Sequence, residues 1–446
     1  MAAGPTPLGD RIHHMEDPNT GRRQFLKSAG VALTTSIFTG NLKGANDRVA
    51  AAFIGMGRMG SSNMEYAIQQ PNLEVVAVCD VYQPHLDDAV AQAREKGHQP
   101  RAVHDFREIL ADRSIDVVNI STPDHWHAYM TVEACKAGKD VYVEKPVCVA
   151  IEEGAKMVEA ARKYNRVVQA GTMQRSAVHF QQACDLVRRG ELGKVTFVHT
   201  WNYGWQKPEG IGNPPDSDPP EGLDWDMWLG PAPNRPFNRN RFGVDPDAFS
   251  HFRWFWDYAG GMMTDWGVHW LDIVQMAFNE AMPHAIASIG GKLWFTDNRE
   301  TPDTLQVTYE YPGFIATYEN RNANAQSMFN KGGGILFHGS EATLFVDRQG
   351  YKLIPEGKGG EPTEVEATSS GNANHWADFL ECVRNRQRPI SDIERCFRST
   401  STCLLGNVAL RSGQRLDWDE RAWTVAQPAA RGFLTRDYRH PWKLVV

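Results

Sequence analysis

Val49-Ala50-Ala51-Ala52-Phe53-Ile54-Gly55-Met56-Gly57-Arg58-Met59-Gly60 is the stretch on which the reading of this chain turns. Its first six residues are an apolar run of strand length, and they end in a G-x-G-x-x-G turn. A helix is expected from Ser61 to Gln70 and a second apolar strand from Leu73 to Cys79, which makes the local order strand, glycine turn, helix, strand. In that setting each glycine has a physical task. Gly55 makes the tight turn, Gly57 lets backbone approach a pyrophosphate, and Gly60 packs helix on strand. Arg58 and Met59, between the glycines, are counted with them as cofactor-binding residues. Asp80 closes the second strand, 20 residues beyond Gly60, where a carboxylate accepts hydrogen bonds from an adenosine ribose. Val81 and Tyr82 come next, with no Arg or Lys to meet a 2′-phosphate, so NAD is expected in preference to NADP.

Farther along, Asp116 to Ile120 reads as another buried strand and runs into Ser121, Thr122, Pro123, Asp124, His125, Trp126 and His127. A helix over Ala128 to Ala137 then leads to Val141-Tyr142-Val143 and to Glu144-Lys145-Pro146. Strand ends in an open parallel sheet face the ligand crevice, so both polar clusters are expected on the cofactor side. Domain limits follow: a Rossmann domain over 48–170 and an α+β domain with a largely antiparallel sheet over 171–446, late helices returning toward the first.

Composition excludes several other classes. The 446 residues are 41% hydrophobic and 23% charged, enough apolar material for a sizeable core. A net charge of -7 with no basic block argues against nucleic acid as a partner. Seven cysteines with no C-x-x-C pair leave neither a zinc spacing nor a disulfide framework, and no metal is expected. Near the N-terminus, Arg22-Arg23-Gln24-Phe25-Leu26-Lys27 reads as a twin-arginine export motif, with Met15 as an alternative start. The weakly apolar stretch after it, Ser28 to Gly40, falls short of the ~20 apolar residues of a membrane span. A periplasmic or otherwise exported protein is expected, with residues 1–47 as signal and linker and no stable membrane span.

The second half changes texture. Pro208, Pro214, Pro215, Pro219 and Pro220 break regular structure and read as an insertion over a site. Eight of the 14 tryptophans fall between Trp201 and Trp270, where they serve either as core or as flat platforms for sugar C–H faces. Strand patterns recur at 285–288, 304–311, 315–319, 334–338 and 343–347, and helices are expected at 375–384 and 395–410.

Residues Met262 to Phe278 are mostly apolar and read as one buried helix, on which Asp265, His269 and Asp272 share a face at i, i+4 and i+7. Taken alone, such a His-Asp pair is an ordinary core contact or a proton acceptor with its orienting carboxylate. Arg175, after the short strand 167–171, either binds sugar hydroxyls or forms a surface salt bridge; Tyr203 is a further substrate-side residue.

Together, the glycine turn, Thr-Pro-Asp-His-x-His at Thr122–His127, Glu-Lys-Pro at Glu144–Pro146 and Asp-Trp-Gly-x-His at Asp265–His269 resemble the Gfo/Idh/MocA oxidoreductases. The resemblance spans roughly residues 48–446 and extends to Tyr438–Leu444 near the C-terminus. It implies catalytic roles for Lys145, His269 and Asp265, with His269 taking a hydroxyl proton and Lys145 holding the oxygen. Ser121, Thr122, Pro123, His127 and Glu144 join the cofactor-binding set, although His127 and Trp126 also suit a helix cap. Arg175, Tyr203 and Asp272 fall on the substrate side. The implied function is NAD-dependent hydride transfer at a sugar or polyol carbon with tightly held NAD, in a homo-oligomer. A redox-neutral glycosidase or epimerase is the alternative, and a non-catalytic sugar or nucleotide binder a third reading.

Overall fold

Six short apolar strands alternate with helices over the first half of the folded chain and form one parallel sheet. The computed structural model describes residues 48–243, 251–357 and 360–446. Strands β1 (Val49–Ile54), β2 (Leu73–Cys79), β3 (Arg101–Val103), β4 (Val117–Ile120), β5 (Asp140–Val143) and β6 (Val168–Ala170) lie in the order β3-β2-β1-β4-β5-β6. All neighbours are parallel. This is a Rossmann sheet, and the strand order reverses between β1 and β4, where a crevice opens. The twin-arginine motif and Met15 lie outside the described residues.

Gly55 and Gly60 show why the opening motif needs glycine. Gly55 has φ +86° and packs so closely that a Cβ would stand 2.6 Å from the Thr122 amide nitrogen. A Cβ on Gly60 would overlap the Gly55 carbonyl oxygen. The helix that follows starts at Arg58 rather than Ser61, because Gly57 already occupies its N-cap.

Strands β7 (Val195–Tyr203), β8 (Ala285–Gly291), β9 (Thr304–Tyr311), β10 (Phe314–Arg321), β11 (Gly333–Gly339), β12 (Ala342–Asp347), β13 (Gly350–Pro355), β14 (Thr363–Glu366), β15 (Leu416–Asp419) and β16 (Thr424–Val425) form a second sheet. Its order is β14-β13-β12-β11-β7-β10-β9-β8-β15-β16. Only β7 and β10 run parallel; the other pairs are antiparallel. In β9 every second residue is buried, as one covered face requires. The outermost strands, β14 and β16, escape the sequence reading because they are only 4 and 2 residues long, as edges often are.

Helix Asn372–Asn385 covers one face of the Rossmann sheet, where Trp376, Phe379 and Leu380 share a core with Phe53, Val78 and Tyr142. The Trp376 and Tyr142 rings stack with centroids 4.5 Å apart. Helix Ile393–Ser412 packs against helix Ile151–Lys163, where Phe397 fills the space left by Gly154. The proline-rich segment docks beside Asp80: Gln83 N donates to Gly222 O at 2.9 Å and Asp224 N to Val81 O at 2.9 Å. Its aromatic residues, Trp225, Trp228, Phe237 and Phe242 among them, make a small core with Tyr82, Phe255 and Tyr258. No helix among the described residues is long and apolar enough to cross a membrane. All seven cysteines are buried free thiols.

Candidate functional site

The C-terminal ends of β1, β2, β4, β5 and β6 open onto one cavity of about 330 Å³. Gly55, Gly57, Arg58, Met59, Asp80, Ser121, Thr122, Pro123, His127, Glu144 and Lys145 line it from the Rossmann side, and Asp265 and His269 from the other. Gly60 lies beneath, as a packing residue.

Around Gly57 the cradle is open: a Cβ there would meet only the His85 Cε1, 3.8 Å away, so the volume a side chain would fill is left for a ligand. Helix Arg58–Ile68 has no side-chain cap, which leaves first-turn amides for an anion. Asp80 accepts from Met56 N at 2.6 Å and from Tyr82 N at 2.9 Å, so one carboxylate braces the glycine turn and lines the cavity. These features fit a dinucleotide.

Sequence reasoning missed Asn63, which donates to Glu144 Oε1 at 2.8 Å and to Ser121 Oγ at 3.1 Å and ties two strand ends together. The available signal was a polar residue on the buried face of the first helix. His127 contacts Pro146 O at 2.7 Å and Thr122 O at 2.8 Å through its two ring nitrogens. It braces two strand-end turns besides lining the cavity, and burial, outweighing those carbonyls, lowers its pKa to about 4. Trp126 Nε1 and His125 Nε2 both meet Trp228 O, which fastens the aromatic segment to the Rossmann domain.

At the chemical end, Lys145 Nζ donates to Asp265 Oδ1 at 2.9 Å and to Asp265 O at 2.8 Å. The Lys145-Pro146 peptide is cis. Arg253 Nη1 reaches Asp265 Oδ2 at 3.3 Å. Burial pushes the Asp265 carboxyl upward, but the adjacent Arg253 and Lys145 charges prevail and hold it below the usual carboxylate range. His269 is held well below the ordinary histidine value by burial, helped by Arg348 and Lys145. Its Nδ1 is buried without a hydrogen-bond partner. A neutral imidazole therefore lines the cavity close to two cations.

The segment expected as one α-helix is a π-turn over Met263–Gly267 followed by an α-helix over Val268–Ala277. The wider turn changes the angular relation between Asp265 and His269. No hydrogen bond joins them, and Asp265 orients Lys145 instead. Asp272 also departs from expectation. It pairs with Arg175 at 2.7 and 2.8 Å and accepts from Ser399 Oγ at 2.8 Å. Arg175, only 1% exposed, also holds Glu280 at 2.6 Å. A buried cation needs such partners, and neither residue lines the cavity. Tyr203 is likewise elsewhere, donating to Glu319 Oε2 at 3.0 Å beneath the Arg321 guanidinium. In the segment around Arg175 it is Gly171 and Met173 that line the cavity, and Gln174 braces it from behind, donating from Nε2 to His269 O at 3.0 Å.

Asp124, at the start of helix Asp124–Lys136, is a further site residue that sequence reasoning missed. It lines the cavity, 8% exposed. Burial, reinforced by Asp265 and opposed by Lys145, raises its pKa to about 8.

The family model for an oxidoreductase with an NAD-binding Rossmann fold matches residues 49–172, and that for the same family's C-terminal alpha/beta domain matches residues 186–444. The chain belongs to the Gfo/Idh/MocA oxidoreductases. NAD is accordingly the cofactor of its Rossmann domain. Among solved members of this fold, the WlbA dehydrogenase from Bordetella pertussis, in complex with NADH and UDP-GlcNAcA, superposes with a TM-score of 0.63 at 17% identity. The alignment covers 83% of this chain and 99% of that one. Aldose-aldose oxidoreductase from Caulobacter crescentus, complexed with glycerol, gives 0.61 at 19% identity, over 83% and 99%. At these identities the likeness is one of fold. In sequence, a glycosyl hydrolase family 109 protein of Shewanella sp. (strain W3-18-1) is 28% identical over 228 residues, 43% of this chain and 48% of that protein. A Shewanella baltica (strain OS155) protein of the same name is 29% identical over the same shares. The chain thus spans about half the length of the curated relatives it matches.

Proposed function

We propose that this oxidoreductase acts at a carbon bearing a hydroxyl of a sugar or polyol, with NAD held tightly through the cycle. The observation that carries the reading is the placement of the Lys145–Asp265 pair and a neutral His269 on the same cavity as the dinucleotide cradle. Gly57, the first-turn amides of helix Arg58–Ile68 and Asp80 would hold pyrophosphate and ribose. When bound, the nicotinamide supplies a two-electron acceptor or donor for a carbinol carbon. His269, kept neutral, takes the hydroxyl proton in the oxidising direction and returns it in the reducing one. Lys145 donates a hydrogen bond to the same oxygen, and Asp265, gripping Lys145 through both backbone and side chain, fixes where that ammonium points. Arg253 steadies the Asp265 carboxylate.

The family 109 relatives favour a second reading, in which oxidation of a ring hydroxyl is transient. A neighbouring C–H then becomes acidic and gives up its proton, the glycosidic bond breaks as the protonated aglycone leaves, water adds across the double bond so formed, and return of the hydride to the keto carbon restores the alcohol, with no net redox change. One experiment separates the two. The protein as purified is mixed with aryl glycosides, free sugars and polyols while reduced nicotinamide absorbance is followed. Paired oxidation and reduction of two sugars without added NAD supports the oxidoreductase, and aglycone release without build-up of reduced cofactor supports the glycosidase. Activity strictly dependent on added NAD, with stoichiometric release of NADH, would overturn the held-cofactor part of the proposal.

A further inference from the structure

The substrate end of the cavity carries more positive charge than its own carboxylates bind. Lys145 and Arg253 both pair with Asp265. Asp124 is held neutral by burial at pH 7, with its pKa raised to about 8. Arg348, in the turn between β12 and β13, lines the same cavity yet forms no ion pair among the described residues. It is an exposed residue at the cavity rim, but its head is held in place. Nε donates to Gln174 Oε1 at 2.9 Å, and the guanidinium carbon stands 4.5 Å from the centroid of the Trp266 ring. Gln174 is fixed in turn by its bond to the His269 carbonyl. The side edge of the guanidinium is therefore occupied, while the two terminal amino groups bond to no group among the described residues.

That leaves the end of the fork, two parallel N–H donors with one positive charge, which matches the two oxygens of a carboxylate. A neutral sugar would leave this cation offset only by Asp265, a carboxylate that Lys145 and Arg253 already bind. We infer that Arg348 receives a carboxylate of the substrate, so that the substrate class is an acidic sugar, a uronic or aldonic acid, rather than a neutral polyol. The inference rests on the sugar reading above and narrows it. A docked carboxylate would sit one residue contact from His269, through Gln174, and so set which hydroxyl meets the imidazole.

The test is calorimetric titration of the NAD-loaded protein with sodium D-glucuronate, its neutral methyl ester, D-glucose and glucose 6-phosphate. Glucuronate is expected to bind about tenfold or more tightly than its ester or glucose, as one charge-assisted bidentate contact implies. Arg348→Gln should abolish that preference, and Arg348→Lys should keep only part of it. Bound NAD, measured in each variant, reports that the fold is intact. Equal affinity for acid and ester, or a preference that survives Arg348→Gln, overturns the inference. A larger gain for glucose 6-phosphate than for glucuronate overturns the carboxylate assignment. If neutral sugars bind and turn over while acids gain nothing, this inference fails and the sugar reading stands. If nothing in the panel binds, both fail.

Discussion

Lys145 and Asp265 meet through two bonds, one to a backbone oxygen and one to the carboxylate, so the ammonium cannot swing away without breaking both. Lys145→Met should therefore remove an oriented donor while Arg253 continues to satisfy Asp265. We expect turnover to fall on the order of 10²-fold or more, and the same for His269→Ala, with bound NAD unchanged in both. Activity within a few-fold of wild type for either variant would mean that the proton is handled elsewhere. Asp124 gives a pH signature. The folded protein keeps its proton up to about pH 8, whereas an unfolded aspartic acid loses it near 3.8, so unfolding releases a proton across that window and stability falls as pH rises through it. The unfolding free energy, read from denaturant curves, should decline from about pH 4 to pH 8 more steeply in wild type than in Asp124→Asn, by up to about 1.4 kcal/mol per pH unit. Parallel slopes would place the proton on another group. At this scale the sequence was informative wherever a residue follows a strand: Asp80, Ser121, Glu144 and Lys145 could be placed by counting. Arg253 and Arg348 could not, because each comes from a turn that only the tertiary fold brings to the cavity.

The glycine turn and the π-turn show how an element can be legible or hidden. In the first, three glycines at fixed spacing have distinct steric tasks, and substitutions should separate them. Gly57→Val points into open space, so it should abolish NAD binding with little change in melting temperature. Gly60→Ala meets the Gly55 carbonyl and should destabilise the whole Rossmann domain. Similar melting temperatures for the two variants would remove that distinction. The π-turn at Met263–Gly267 left no comparable mark. An apolar run with one glycine reads as plain helix, and the extra residue in the turn depends on packing from elsewhere: a Cβ on Gly267 would stand 2.8 Å from Met263 Cε and 3.3 Å from the Tyr318 ring. For the same reason the sequence does not reveal that Arg175 and Asp272, expected on the substrate side, are buried against each other.

For the molecule as a whole, the fold class was readable because strand spacing and apolar runs are local, while the joining of the two sheets was not. Helix Asn372–Asn385 belongs in sequence to the second half and in packing to the first. Trp376→Ala should cost about 3–5 kcal/mol, read by urea unfolding, because it empties a fully buried site between Phe53 and Tyr142. We propose that the twin-arginine motif acts as an export signal, so replacing Arg22 and Arg23 by Lys should leave the protein in the cytoplasm. Unchanged delivery to the periplasm would refute the signal.

The stacking of Trp376 on Tyr142 also bears on how the protein is made. On the ribosome, β6 is complete about 200 residues before Trp376 is added. At ~5–20 residues per second that interval lasts roughly 10–40 s. Throughout it, part of one face of a finished parallel sheet stands uncovered, with Phe53 and Tyr142 lacking the Trp376 ring that later packs on them. The nascent chain thus exposes a sticky half-domain, a natural client for chaperones, and the cofactor-binding domain reaches its final form only near the end of translation.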